Sequence, residues 1–177
     1  MVIGNEFVWL HLGKTGGDST KQMFDCLTGI LFADDKSQKE KHFNMNRTDI
    51  NPELLQNKKI ICNIRRLPSW LLSFKQHRIA TKNDRLTIEQ LCNAAENHIK
   101  NYTSVPVDYW LRTEHLPEDF IRVVSNFIEI TPQQKSIIRN THINHRKYHH
   151  ILKPDEIKYA YENCPTWKKY EDIVYVK

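Results

Sequence analysis

The chain lacks most of what would place it outside the ordinary globular classes. Its four cysteines, Cys26, Cys62, Cys92 and Cys164, lie far apart and form no C-x-x-C pair. A chain of 177 residues buries enough core to fold without disulfides, so four reduced, mostly buried thiols are expected. No apolar stretch approaches the ~20 residues of a membrane span. The opening "MVIGNEFVWLHL" runs straight into a core strand, which leaves no room for a signal peptide and makes a cytoplasmic location the expected default. "NRT" at Asn46 and "NYT" at Asn101 match the glycosylation triplet, and without a secretory signal they read as chance. Internal repeats, low-complexity tracts and linkers are also missing, so one domain over residues 1–177 is expected. Charge of one sign is in modest excess: 26 basic against 21 acidic residues give +5, which favours an anionic ligand but is too little to imply nucleic acid.

What is present is an alternation of strands and helices. "EFVWLHL" (Glu6 to Leu12) is short, apolar and rich in aromatic and branched residues, the pattern of a buried strand. Met23, Phe24, Leu27, Ile30 and Leu31 then recur at helical spacing, with Asp18 or Ser19 able to cap the start. A polar segment, Phe32 to Asn57, is long enough to be a functional loop. "KKIICNI" (Lys58 to Ile64) is a second strand, followed by a helix from Ser69 to about Arg78 with Pro68 at its mouth. Helices fit "TIEQLCNAAENHIKNY", "EDFIRVVSNF", "TPQQKSIIRN" and "KPDEIKYAYENC", and "PVDYWLRTEHL" supplies a third strand. This order predicts an α/β fold of three layers, a central parallel β-sheet flanked by helices. Ligands in such folds sit beyond the carboxyl ends of the strands, where the loops after Leu12 and Ile64 lie.

The loop after Leu12 reads "HLGKTGGDST". Strand, glycine-rich turn and helix is the setting of a phosphate-binding loop. The nucleoside-triphosphate version requires G-x-x-x-x-G-K-[ST], and its first glycine would fall on Val8. The second strand ends in Arg65 and Arg66, where a magnesium-dependent phosphoryl transferase would want a carboxylate. A P-loop kinase is therefore disfavoured. Backbone N–H groups from Thr15 through Gly16, Gly17, Asp18 and Ser19 to Thr20, at a helix N-terminus, would instead form a nest for another anion.

"FVWLHLGKTGGDST" resembles the 5′-phosphosulfate loop of the sulfotransferases that use 3′-phosphoadenosine 5′-phosphosulfate (PAPS), commonly P-K-T-G-G-T-S after a strand. "ICNIRRLPSWLLSF" resembles that family's 3′-phosphate motif, an arginine with a serine eight positions later, which matches Arg65 and Ser73. "VDYWLRTEHLPEDFIRVV" and "NTHINHRKYHHILKPDEIKYAYENC" are similar to later parts of carbohydrate-type members, in the family's order. The resemblance implies a P-loop NTPase-like sulfotransferase fold. It also implies PAPS as donor, 3′,5′-ADP (PAP) as product, no metal, and a carbohydrate or small-molecule acceptor. Lys14 would neutralise charge on the bridging oxygen as the sulfuryl group leaves. Arg65 would offer a planar fork to the 3′-phosphate and Ser73 a hydroxyl. Gly13 stands where the family has proline, and Asp18 where it has threonine or serine. Pro68 lies one residue late, which leaves Arg66 as the alternative to Arg65.

Transfer also needs a base with a pKa near working pH. Some carbohydrate members carry a histidine between the first helix and the second strand, and "KEKHFNMNRTD" puts His42 there; His11 and Glu40 are the alternatives. "THINHRKYHH" holds four histidines without a completing cysteine or carboxylate, so a basic lid that includes Arg146 and Lys147 is expected rather than zinc. Two other classes stay open: a PAP- or PAPS-binding protein without turnover, and a small-molecule kinase of P-loop type.

Overall fold

A computed structural model of the protein describes residues 1–33, 56–141 and 151–175. In chain order the elements are β1 (Val2–Gly4), β2 (Phe7–Leu10), α1 (Gly17–Asp25), β3 (Ile30–Ala33), β4 (Lys59–Ile64), α2 (Leu67–Lys82) and α3 (Ile88–Tyr102). Then come β5 (Tyr109–Arg112), a 3₁₀ turn (Thr113–His115), α4 (Leu116–Val124), α5 (Pro132–Arg139), α6 (Pro154–Asn163) and α7 (Pro165–Tyr175). The chain divides into two compact units, one from Met1–Ile64 with Tyr102–Asn144, the other from Arg65–Asn101 with His145–Lys177.

The first unit is α/β: a mixed sheet in the order β3-β1-β2-β4-β5, flanked by helices. The expected all-parallel sheet is corrected here. Strands β2, β4 and β5 are parallel, whereas β1 runs antiparallel to both β2 and β3. The reason is local. Only Asn5 and Glu6 separate β1 from β2, and two residues can join antiparallel neighbours but never parallel ones. The strand predicted over Glu6 to Leu12 is thus β2, the second arm of a hairpin, with Val2 opposite Trp9 and Ile3 opposite Val8.

Residues Ile30 and Leu31, expected on the first helix, belong instead to β3. Helix α1 stops at Asp25, and Gly29 takes a left-handed φ of 83° that no helix continues through. The start of α1 is corrected too. Its N-cap is Gly16, and neither Asp18 nor Ser19 caps it, because both already lie within the first turn.

One face of this sheet and the helices above it make the core. Phe7, Trp9, Ile61 and Leu111 share a cluster with Met23 and Phe24 of α1 and Leu116, Phe120, Val123 and Val124 of α4. Phe24 packs edge-on to Phe120 with centroids 4.7 Å apart. Where β5 passes into α4, Asp119 accepts from the Arg112 backbone N–H at 2.9 Å and from its guanidinium at 2.7 and 2.8 Å. Burial works to raise the Asp119 pKa, but the Arg112 hydrogen bonds and charge outweigh it and hold the carboxyl below its ordinary value.

The second unit holds α2, α6, α7 and all of α3 but its last residue. Trp70 stacks on Phe74 at 4.9 Å and meets Trp167 at 4.9 Å, with His98 against Trp70 and Phe74. Two buried carboxylates close helix N-termini in this unit. Glu96 of α3 accepts from the Thr166 and Trp167 N–H groups in the first turn of α7. Glu171 of α7 accepts the Leu67 N–H at 2.8 Å, at the start of α2. Each places negative charge at the positive end of a helix dipole. Helix α7 was not foreseen from the sequence; Pro165 opens it in the favoured first-turn position. Among the described residues no helix is long and apolar enough to cross a membrane, and all four cysteines are free thiols.

Candidate functional site

The loop from His11 to Gly16 connects β2 to α1 at the carboxyl ends of the parallel strands, where α/β sheets place their ligand sites. Its backbone is unusual at two points. Lys14 has φ 67° and Gly16 φ 86°, both left-handed. For glycine that conformation costs little, whereas for lysine it costs about 1–2 kcal/mol. A non-glycine residue held so is the sort of strain that marks functional sites.

Two side chains, Asn63 and Thr113, hold the loop from below, and Trp9 holds Asn63. The Asn63 amide, near the end of β4, donates to the Thr15 carbonyl at 3.0 Å and to Thr20 Oγ1 at 2.8 Å. Its own oxygen accepts from Trp9 Nε1 at 2.6 Å. Thr113, immediately after β5, donates its hydroxyl toward the same Thr15 carbonyl at 2.8 Å and toward Ile64 O at 3.0 Å. The ends of two neighbouring parallel strands thus converge on one carbonyl of the loop. Asn63 is fully buried and Thr113 and Trp9 nearly so, so these bonds are shielded from water.

His11 completes the site from the β2 side. It is buried, stacked on Trp9 at 5.4 Å, and its ring occupies the space beside Gly17. A Cβ on Gly17 would lie 1.8 Å from His11 Nε2. Gly17 is therefore required by close approach, and Gly16 by its backbone angle.

The predicted site residues separate into groups. Lys14 and Gly16 are half-buried on the loop, and Asp18 is exposed in the first turn of α1. Gly17 and Ser19 are buried in that turn, where the N–H groups point out of the helix's N-terminal end. Thr15 and Thr20, expected to contribute backbone N–H groups, have their hydroxyls engaged inside the protein. The Thr15 hydroxyl donates to Leu12 O at 2.5 Å, and the Thr20 hydroxyl lies 3.1 Å from Gly16 O while accepting from Asn63. The Thr20 N–H donates to Gly16 O at 3.0 Å, closing the first turn of α1.

Arg65 and Ser73 belong to the second unit. Ser73 is half-buried nearly two turns into α2, and the Arg65 carbonyl accepts from Trp167 Nε1 at 2.9 Å. The alternative, Arg66, is engaged within its own unit: 3.6 Å from Glu171 Oε1 and 4.4 Å above the Tyr175 ring. His42, Glu40, Arg146, Lys147 and the histidines from His142 to His150 lie outside the described residues.

Sequence reasoning missed Asn63, Thr113 and the His11–Gly17 contact. The one signal for Asn63 was a polar amide inside the apolar run "KIICNI". Comparison with known proteins adds nothing to this picture: no family model, no curated protein and no solved structure matches the chain.

Proposed function

We propose that the chain is a PAPS-dependent sulfotransferase acting on a hydroxyl or amine of a carbohydrate or small-molecule acceptor. The observation that carries the reading is the loop itself. A lysine kept in a left-handed conformation stands two residues before the glycine that caps a helix, and the carbonyl of the intervening Thr15 is locked by two strand ends. That arrangement suits a fixed anion whose charge grows during reaction, because preorganised dipoles need no reorganisation at that moment.

In this reading the main chain of Gly16, Gly17, Asp18 and Ser19 receives the phosphosulfate end of the donor. Lys14 meets the bridging oxygen and stabilises its developing charge. Bound donor supplies an activated sulfuryl group, which carries less charge in transfer than a phosphoryl group and so leaves a lysine and backbone dipoles sufficient. Arg65 and Ser73 are assigned to the 3′-phosphate by their order and spacing in the sequence, with Arg66 as the alternative to Arg65. Of the candidate bases, His11 is the one among the described residues, buried beside the first turn of α1. His42 keeps its place as the proposed base from the sequence resemblance.

The test is ligand-dependent stabilisation followed by turnover. PAP at 100 times its dissociation constant should stabilise the chain by about 2.7 kcal/mol, while ATP with magnesium should not. Transfer of labelled sulfate from PAPS to a panel of sugars and phenols then separates an enzyme from a binding protein. Stabilisation by ATP and magnesium but not by PAP would return the chain to the kinase class.

A further inference from the structure

The second unit is built from two stretches of chain that are distant in sequence, Arg65–Asn101 and His145–Lys177, and between them the chain leaves to build part of the first unit. Each stretch contributes one cysteine. Cys92 lies in α3, and Cys164 is the residue between α6 and α7. The Cys164 thiol donates to the Cys92 carbonyl oxygen at 3.5 Å, a contact that brings the two cysteine residues together across 72 positions of sequence. Both are buried, and Cys62, the remaining buried thiol, sits on β4 in the other unit.

We propose that Cys92 and Cys164 form an oxidisable dithiol, closed by a hydroperoxide into a disulfide that joins the two chain stretches of this unit. The step balances. One thiol loses its proton and its sulfur attacks an oxygen of hydrogen peroxide; the O–O bond breaks, the departing hydroxide takes up that proton, and a sulfenic acid and one water result. The second thiol's sulfur then attacks the sulfenic sulfur, the S–O bond breaks, and a second water leaves. Two thiols are oxidised and one peroxide is reduced.

Because both are buried, oxidation follows local opening of the unit rather than direct attack on the closed fold. Once closed, the bond ties 72 positions of chain, a span that restricts the unfolded state strongly.

The experiment uses the full chain carrying Cys26→Ser, which removes the half-exposed thiol that would otherwise cross-link molecules. It is treated with hydrogen peroxide, quenched, unfolded in an alkylating agent and mapped by mass spectrometry. The expected product is a Cys92–Cys164 linked peptide with Cys62 alkylated, and a Tm several degrees higher that returns to the starting value on reduction. Cys164→Ser in the same background should give no linked peptide and no rise in Tm. Recovery of Cys92 and Cys164 as alkylated thiols or sulfinic acids, or a link to Cys62, overturns the proposal. If Cys164→Ser does not fold, the peptide map of the Cys26→Ser chain decides alone.

Discussion

The imidazole of His11 fills the volume that a methyl group on Gly17 would need, with Nε2 only 1.8 Å from that position. His11 is buried and stacked on Trp9, so the ring cannot swing aside without disturbing the core beneath it. Gly17→Ala should therefore destabilise the chain by about 1–3 kcal/mol, the usual range for overpacking. In a His11→Ala background the same substitution should cost far less. A double-mutant cycle by chemical denaturation checks this, and additive costs would mean that the ring is not the obstacle.

Asn63 makes three hydrogen bonds in the buried floor of the loop. Asn63→Leu should cost about 2–3 kcal/mol, since it leaves Trp9 Nε1 without its acceptor and Thr15 O with one donor fewer. For a chain of this size that is a fall of roughly 5–10 °C in Tm. Thr113→Val should cost less, because Thr15 O keeps its bond from Asn63. PAP affinity should fall in both variants if the loop holds the donor. Calorimetry with titrated PAP reads both effects.

Lys14 separates strain from function. Lys14→Gly relieves the left-handed backbone and should be about 1 kcal/mol more stable than Lys14→Ala. Both should lose sulfuryl transfer far more than PAP affinity, as expected of a group acting in the transition state. Equal losses of turnover and affinity would contradict the role given to its ammonium group.

Arg65 and Arg66 are told apart by which property fails. Arg66→Ala removes a contact with Glu171 and Tyr175 and should lower stability modestly while PAP binding persists. Arg65→Ala should weaken PAP binding at least tenfold. The opposite pattern in a binding titration would move the 3′-phosphate to Arg66.

Asp119 sets an acid limit. Its pKa in the fold lies below that of the unfolded chain, about 3.9, because Arg112 outweighs the effect of burial. Its contribution is therefore fully present above about pH 4 and is lost as pH falls through the folded value. Asp119→Asn should be less stable at neutral pH and lose less stability on acidification. Unfolding curves taken between about pH 6 and pH 2 test this, and parallel acid profiles for the two proteins would exclude Asp119 as the sensitive group.

The sequence by itself determined the parts whose signals are local. Apolar runs at Phe7–Leu10 and Lys59–Ile64, helical periodicity over Ile88–Tyr102, and the glycine pair after a buried strand all follow from residues within a few positions of each other. The position of the candidate loop belongs with these, because strand, turn and helix are adjacent in the chain. Tertiary structure decided the rest. Two residues between β1 and β2 forced an antiparallel hairpin, and β3 took Ile30 and Leu31 from the helix because an edge of β1 was there to pair with. Asn63, Thr113, Trp9 and Thr15 meet although up to 104 residues separate them in number from 9 to 113, and no pattern within any one segment encodes that meeting. Their convergence arises from strand register: parallel pairing of β2, β4 and β5 brings three carboxyl ends to one edge, where a single buried carbonyl collects the donors.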